Sequence, residues 1–166
     1  SGRERLTWIG YRRALPVAAL VVLFDQLSKW WILSAVMQPP REIAVTPFFN
    51  LVLAWNRGVS FSLFRSDASL APYLLSAVAV AVVIALLVWL GRQHRFWPAL
   101  GIGLVIGGAL GNVIDRLRHG AVVDFLDFHA AGWHWPAFNL ADSAITIGVA
   151  VLVVDGLFGR PDGGKT

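Results

Sequence analysis

Apolar residues in this chain gather into four long blocks instead of alternating with polar ones. A hydrocarbon core about 30 Å thick needs roughly 20 apolar residues in a helix. Four stretches are that long, from about Ala14 to Val36, Leu70 to Leu90, Phe96 to Ile114 and Ala137 to Val154. The second and third carry no charge, the first contains Asp25 and Lys29, and the fourth contains Asp142. The pattern predicts four transmembrane helices. A cleaved signal peptide does not fit the first block, which is too long and is followed by three more. The opening Ser1-Gly2, without a Met, reads as a cloning remnant and carries no argument.

Between the first two blocks, residues 37–69 show a different pattern. Ile43, Val45, Phe48, Phe49, Leu51, Val52, Leu53, Trp55, Val59, Phe61 and Phe64 are β-branched, aromatic or aliphatic, and Pro47 and Gly58 interrupt them. That content predicts two or three short strands within 41–64. The expected architecture is an α-helical integral membrane protein, a single domain over 1–166, with four transmembrane helices and a small β-sheet on the outer (periplasmic) membrane face. The Gly/Pro-rich tail 159–166 is expected to be disordered.

Charge orients the helices. An even number of spans puts both termini on one side. Arg3, Arg5, Arg12 and Arg13 precede the first block, Arg92 and Arg95 sit between the second and third, and Arg160 and Lys165 lie in the tail. All fall on one face, which the positive-inside rule makes cytoplasmic. Trp89 and Trp97 flank the turn on that face, while Trp30, Trp31, Trp133 and Trp135 sit near the outer ends, as interfacial belts do. Composition agrees: 57% of residues are hydrophobic and 14% charged, about half the charged share of a soluble domain. The absence of cysteine excludes disulfides, thiol nucleophiles and cysteine-bound metals. No basic run interleaved with aromatics points to nucleic acid.

The candidate chemistry lies in the polar residues that the apolar blocks do not explain. Asp25 and Lys29, at i and i+4, share a helix face and can neutralise one another. Asn112, Asp115 and Arg116 share a face at the end of the third block, and Asp115–Arg116 offers an ion pair. Arg116 and Arg118 lie on the outer face against the positive-inside trend, which calls for an acidic partner or a ligand. Asp124 closes the apolar run Gly120-Ala-Val-Val at the membrane surface. Asn139 precedes Asp142 by one turn, and Asp142 is expected about a turn and a half inside the fourth span, where it must be protonated, paired or wet. Gly103, Gly107 and Gly111 recur at every fourth residue, a spacing for close helix packing or for a groove beside the helix.

Two carboxyls at one depth, Asp124 and Asp142, suggest a dyad sharing a proton, one member activating water and the other protonating a carbonyl oxygen. The alternatives left open by the residues themselves are a small ion-coupled transporter built on Asp25, Lys29 and Asp142, and a non-catalytic membrane subunit. A zinc site from His119, His129 and His134 also stays open, although no HExxH-type spacing supports it.

Five blocks carry a family resemblance. They are Asp25-Gln26-Leu-Ser-Lys29, Phe48-Phe49-Asn50-Leu, Trp55-Asn56-Arg57-Gly58-Val-Ser-Phe61, Gly108 through Asp124-Phe125, and Phe138-Asn139-Leu-Ala141-Asp142-Ser143-Ala-Ile145. In order and spacing the chain resembles the lipoprotein signal peptidases, the bacterial signal peptidases II, over nearly its whole length. The resemblance implies an aspartic endopeptidase of the bacterial cytoplasmic membrane that cuts prolipoproteins before a diacylglyceryl-modified cysteine, with no metal or organic cofactor. It puts the catalytic aspartates on Asp124 and Asp142, and substrate or globomycin contacts on Asn56, Gly58, Asn112, Arg116 and Asn139. Asp25, Lys29 and Asp115 become supporting residues. It implies a monomer with membrane lipid around it, both termini cytoplasmic and the active site periplasmic. Val59-Ser60 stands where many relatives have small alanines, with no catalytic consequence expected. Whether the outer sheet and segment 115–136 close over substrate, with motion near Gly58 and Gly120, is a hypothesis that the sequence leaves open.

Overall fold

The computed structural model describes residues 2–58 and 70–159, with the side chains of residues 2–7 left undescribed. Helix α1 spans Gly2–Trp31 and runs on into a π-helical turn, Ile32–Val36. Helix α2 spans Ala71–Leu90, α3 Phe96–His119 and α4 Leu140–Phe158. All four are long and apolar enough to cross a membrane. The 30 residues of α1 make about 45 Å of helix at 1.5 Å per residue, more than the hydrocarbon requires. Val59, Phe61 and Phe64, the last part of the expected strand region, and residues 160–166 of the expected disordered tail lie outside the described residues.

Helix α3 is the central element. The backbone approaches that the glycine spacing allows are made: a Cβ at Gly103 would lie 2.6 Å from the Ala14 carbonyl oxygen, and one at Gly107 2.7 Å from that of Ala18. Gly111 leaves room for the Asp25 carboxylate, which a Cβ would meet at 2.5 Å. The spacing therefore serves helix contact and also admits a charged side chain between helices. Below this, Ala14, Ala18, Val83, Leu90, Ala99, Ile102 and Ile106 form one buried core. At the end of the bundle away from the sheet, Tyr11 donates to the Leu87 carbonyl (2.9 Å) and Arg13 to that of His94 (2.7 Å). Arg95 there grips Asp155 in a two-pronged ion pair at 2.8 and 2.6 Å.

The sheet has the order β1-β2-β3-β4, from Ile43–Thr46, Phe49–Asn56, Val122–Ala130 and Trp133–His134. Only β1 and β2 come from the segment where strands were expected. β3 and β4 come from 115–136, where the sequence suggested only an apolar run. The reason is burial on both faces: Val122, Val123, Asp124 and Phe125 are all enclosed, so no alternation marks the strand. Ile32 and Met37, at the end of α1, pack under Val123 and Phe125 and join sheet to bundle.

Two helix limits also differ from expectation. α3 runs to His119 and ends at Gly120, whose φ of 70° supplies the left-handed cap and returns the chain at once into β3. α4 begins at Leu140 with Asn139 as its cap, so Asp142 lies in the first turn and not a turn and a half inside the span. Short polar caps end a helix where hydropathy alone sees a continuing apolar block.

Since the space opposite Gly107 is backbone and the Val21 Cβ, Gly107→Val should destabilise the fold by about 1–3 kcal/mol or more. The midpoint of thermal unfolding in detergent measures it.

Candidate active site

The site is built where the sheet meets the ends of α1 and α3 and the start of α4. Its base is a buried ion cluster. Lys29 Nζ lies 2.8 Å from Asp25 Oδ2 and 2.9 Å from Asp115 Oδ2, with all three side chains almost fully enclosed. The Asp25–Lys29 pairing matches its i, i+4 spacing. Asp115 takes Lys29 as its partner in place of the expected Arg116, because its side chain faces α1 across the gap at Gly111. Each carboxylate also accepts a backbone N–H from another element, Asp25 from Ala141 in α4 (3.0 Å) and Asp115 from Val123 in β3 (3.0 Å). Gln26, quoted in the motif without an assigned role, donates to Asp115 Oδ1 at 3.0 Å and to the Gly111 carbonyl at 3.1 Å. Its position next to Asp25 gave no sign of this. Among the described residues, no charge in this cluster is left without a partner.

Above the cluster lie Asn112 and Asn139. Lys29 Nζ donates to Asn112 Oδ1 (3.2 Å), and Asn112 Nδ2 donates to Asp142 Oδ1 (2.9 Å). Asn139 caps α4 reciprocally. Its Oδ1 accepts from the Asp142 N–H (2.9 Å), and its own N–H donates to Asp142 Oδ2 (3.1 Å). The Asn139 Nδ2 group reaches Asp124 Oδ1 at 2.8 Å, Asn112 Oδ1 at 3.1 Å and the Val123 carbonyl at 3.2 Å. Two asparagines thus tie Asp124 to Asp142.

The sheet delivers Asp124. In the β2–β3 register Asn56 faces Val122 and Ala54 faces Asp124, so Asn56 and Asp124 are diagonal neighbours on one face. Asn56 Nδ2 donates to Asp124 Oδ2 at 3.0 Å, and Asn56 Oδ1 accepts the Gly58 N–H at 2.9 Å. Gly58, at φ 104°, abuts Leu75 of α2. The start of α4 is held to the same strand, since the Phe138 N–H donates to the Leu126 carbonyl (3.1 Å) and the Phe138 carbonyl accepts from Phe125 and Leu126. The two aspartates, 18 residues apart, therefore keep a set relation.

Electrostatically the pair is uneven. Burial is the main force on Asp124 and, with the nearby charge of Asp142, pushes its carboxyl up to about 6 against the pull of Asn56, Asn139 and Lys29. Asp142 is half-buried and opens on a groove of about 460 Å³ bordered by Trp135, Phe138, Ser143, Thr146 and Ile147. Arg116 is half-buried, with Asp142, Asp115 and Asp124 close enough for their charge to act on it. No ion pair or hydrogen bond holds its guanidinium among the described residues, which leaves its donors available. The three outer histidines do not converge. His119 meets the edge of Trp55, whereas His129 and His134 stack on the β3–β4 hairpin beside Asp127. Asp127 is held below the usual carboxylate range chiefly by the His134 hydrogen bond.

The family model for signal peptidase (SPase) II matches residues 17–158, which contain every residue of the site and all of the described elements except the first half of α1. The chain belongs to the signal peptidase II family. It is 47% identical over 160 residues to a lipoprotein signal peptidase of Paraburkholderia phymatum, covering 95% of this chain and 91% of that one. It is 42% identical over 158 residues to one of Burkholderia mallei, with the same coverage. Two solved structures described as bacterial membrane enzymes share its fold. One has a TM-score of 0.77 at 31% identity over 89% of this chain and 94% of that one, the other 0.75 at 30% over 92% and 94%. The chain is thus a multi-pass membrane hydrolase of a family that removes signal peptides from prolipoproteins and is of the aspartyl type. The transporter alternative falls with this assignment, and Asp25 and Lys29, the in-span charges that prompted it, are closed into the ion cluster.

Lys29→Ala should leave Asp25 and Asp115 buried without a counter-charge, at a cost of about 3–5 kcal/mol. Loss of monodisperse folded protein, or a large drop in the thermal midpoint, is the expected result.

Proposed function

We propose that Asp124 and Asp142 are the catalytic pair of this signal peptidase, which hydrolyses the peptide bond before the diacylglyceryl-modified cysteine. The observation that carries the proposal is the joint anchoring of both carboxyls by Asn112 and Asn139, with Asp142 lining a groove along the start of α4. One carboxylate takes a proton from water as its oxygen attacks the scissile carbonyl, and the protonated partner donates to the carbonyl oxygen, giving a gem-diol. Collapse of the diol breaks the C–N bond, with a proton passed to the leaving amine. The raised carboxyl of Asp124 suits it to hold the shared proton between turnovers.

Substrate is held by the polar groups around the pair. Arg116, with donors free, and Asn56, Asn112 and Asn139 are the groups to satisfy peptide carbonyls that would otherwise lie unpaired in a low dielectric. The Gly58 backbone N–H, just past β2, holds Asn56 Oδ1 and so helps set the amide that reaches Asp124. The lipid anchor of the substrate keeps its acyl chains in the bilayer, so the scissile bond arrives at a set depth. That restriction supplies part of the entropy cost of orientation. Globomycin-type peptides compete for this space. The basic residues at the far end of the bundle support an orientation with that end and both termini in the cytoplasm and the sheet and active site on the periplasmic side.

Asp124→Asn and Asp142→Asn should each lower cleavage of a diacylglyceryl-modified prolipoprotein by roughly 10²–10⁴-fold while the protein remains folded. Either variant cleaving at the wild-type rate would sink the assignment. The working pair carries one proton, and that proton is lost from Asp124 as pH rises. The kcat/KM profile of the free enzyme should therefore show its alkaline limb near pH 6, above the ordinary carboxylate range. A limb near 4 contradicts it.

A further inference from the structure

We infer that Lys29 is a positioning residue for the proposed hydrolysis, and that it acts through Asn112 by fixing which way that amide faces. The inference rests on the reading of Asp124 and Asp142 as the working pair. An ammonium group can only donate, so Lys29 Nζ, 3.2 Å from Asn112 Oδ1, commits the amide oxygen to its own side. The Nδ2 group must then face Asp142 Oδ1, where it lies at 2.9 Å. Reversed, Asn112 would point its N–H groups at an ammonium that accepts nothing and set its carbonyl oxygen against a carboxylate.

Asn139 is oriented independently. The first-turn N–H of Asp142 donates to its Oδ1 at 2.9 Å, which leaves Nδ2 for Asp124 and Asn112. Nδ2 has two hydrogens and three oxygens within reach, Asp124 Oδ1, Asn112 Oδ1 and the Val123 carbonyl. It can therefore release Asn112 without abandoning Asp124, and cannot by itself hold Asn112 in register. Lys29 does so, and it is held rigidly because Asp25 and Asp115 grip it at 2.8 and 2.9 Å. The ion cluster thus has a second consequence beyond neutrality. Through Lys29 it keeps the Nδ2 donor of Asn112 on Asp142 Oδ1. The charged groups that act on the pair are Lys29 from α1 and Arg116 from α3, with Asn56 bonded to Asp124 from β2 and Asp25 and Asp115 set behind Lys29.

The test compares the full-length wild type with Lys29→Met/Asp115→Asn and Lys29→Arg in detergent. The double substitution removes one charge of each sign, so the formal charge of the cluster does not change while the Lys29–Asn112 contact is lost. The readout independent of turnover is infrared titration of the carboxylic-acid C=O band that disappears in Asp124→Asn. In wild type its midpoint is expected near 6. In the folded double variant it should rise by about one pH unit, with kcat reduced about tenfold and KM little changed. The same two substitutions made in Asn112→Ala should add little further change, whereas loss of the Lys29 charge alone would add the same shift there. Lys29→Arg, another donor-only cation, should leave the midpoint in place. A folded double variant with an unmoved midpoint, or a shifted midpoint in Lys29→Arg, overturns the inference. Should the double variant fail to fold, Lys29→Arg carries the test alone. Cleavage by wild type is assayed separately, since its failure would count against the peptidase assignment of the pair and not against the role of Lys29.

Discussion

The contact on which the rest depends is a single ammonium held between two carboxylates inside a membrane bundle. Lys29 comes from α1, Asp25 from the same helix one turn earlier, and Asp115 from α3. Taken singly, each of these charges would be too costly to bury. Together, and with their remaining lone pairs filled by backbone N–H groups of Ala141 and Val123, they become a junction that four elements share. A buried ion pair is weak evidence for net stability, because desolvation offsets much of the attraction. Its value here is geometric: the cluster draws its bonds from α1, α3, α4 and β3 together and so fixes how they meet.

That arrangement carries upward to the aspartates. Asn112 stands one helical turn before Asp115, and Asn139 begins the helix whose first-turn N–H is bound by Asp25. Asn112 is therefore oriented from outside the pair by Lys29, and Asn139 by the backbone N–H of Asp142 that it caps. Orientation of this kind is preorganisation, in which donors stand in place before charge develops and little reorganisation is needed during reaction. The sheet contributes in the same sense. By pairing β2 with β3 it brings Asn56 across to Asp124, and the Leu126–Phe138 bridge ties the strand to the start of α4.

Burial divides the labour between the two ends of the bundle. At one end small residues let backbones touch, and Arg95–Asp155 fastens α3 to α4. At the other, glycine at 111 makes room for a carboxylate in place of a neighbouring backbone. One repeat of small residues therefore serves packing at Gly103 and Gly107 and the polar site at Gly111.

Much of this was legible in the chain itself. Four apolar blocks of bilayer length determine four spans, because a helix in lipid must satisfy its own backbone and cross a known thickness. The i, i+4 spacing of Asp25 and Lys29 determines their pairing, since neighbours on a helix need no tertiary information. Most polar residues of the site could be named because they were out of place in an apolar setting, whereas Asn56 was named only through the family resemblance. What lay beyond the sequence was everything set by partners distant along the chain. Asp115 pairs with Lys29 and not with its neighbour Arg116, because facing helices outcompete sequence proximity once both groups are buried. β3 went unseen because burial on two faces erases the alternation that marks a strand. The depth of Asp142 depended on a cap formed by Asn139, a local bond whose existence hydropathy does not register. Periodicity reports which face of an element is apolar; only packing decides which faces meet, and in this protein the site exists where they do.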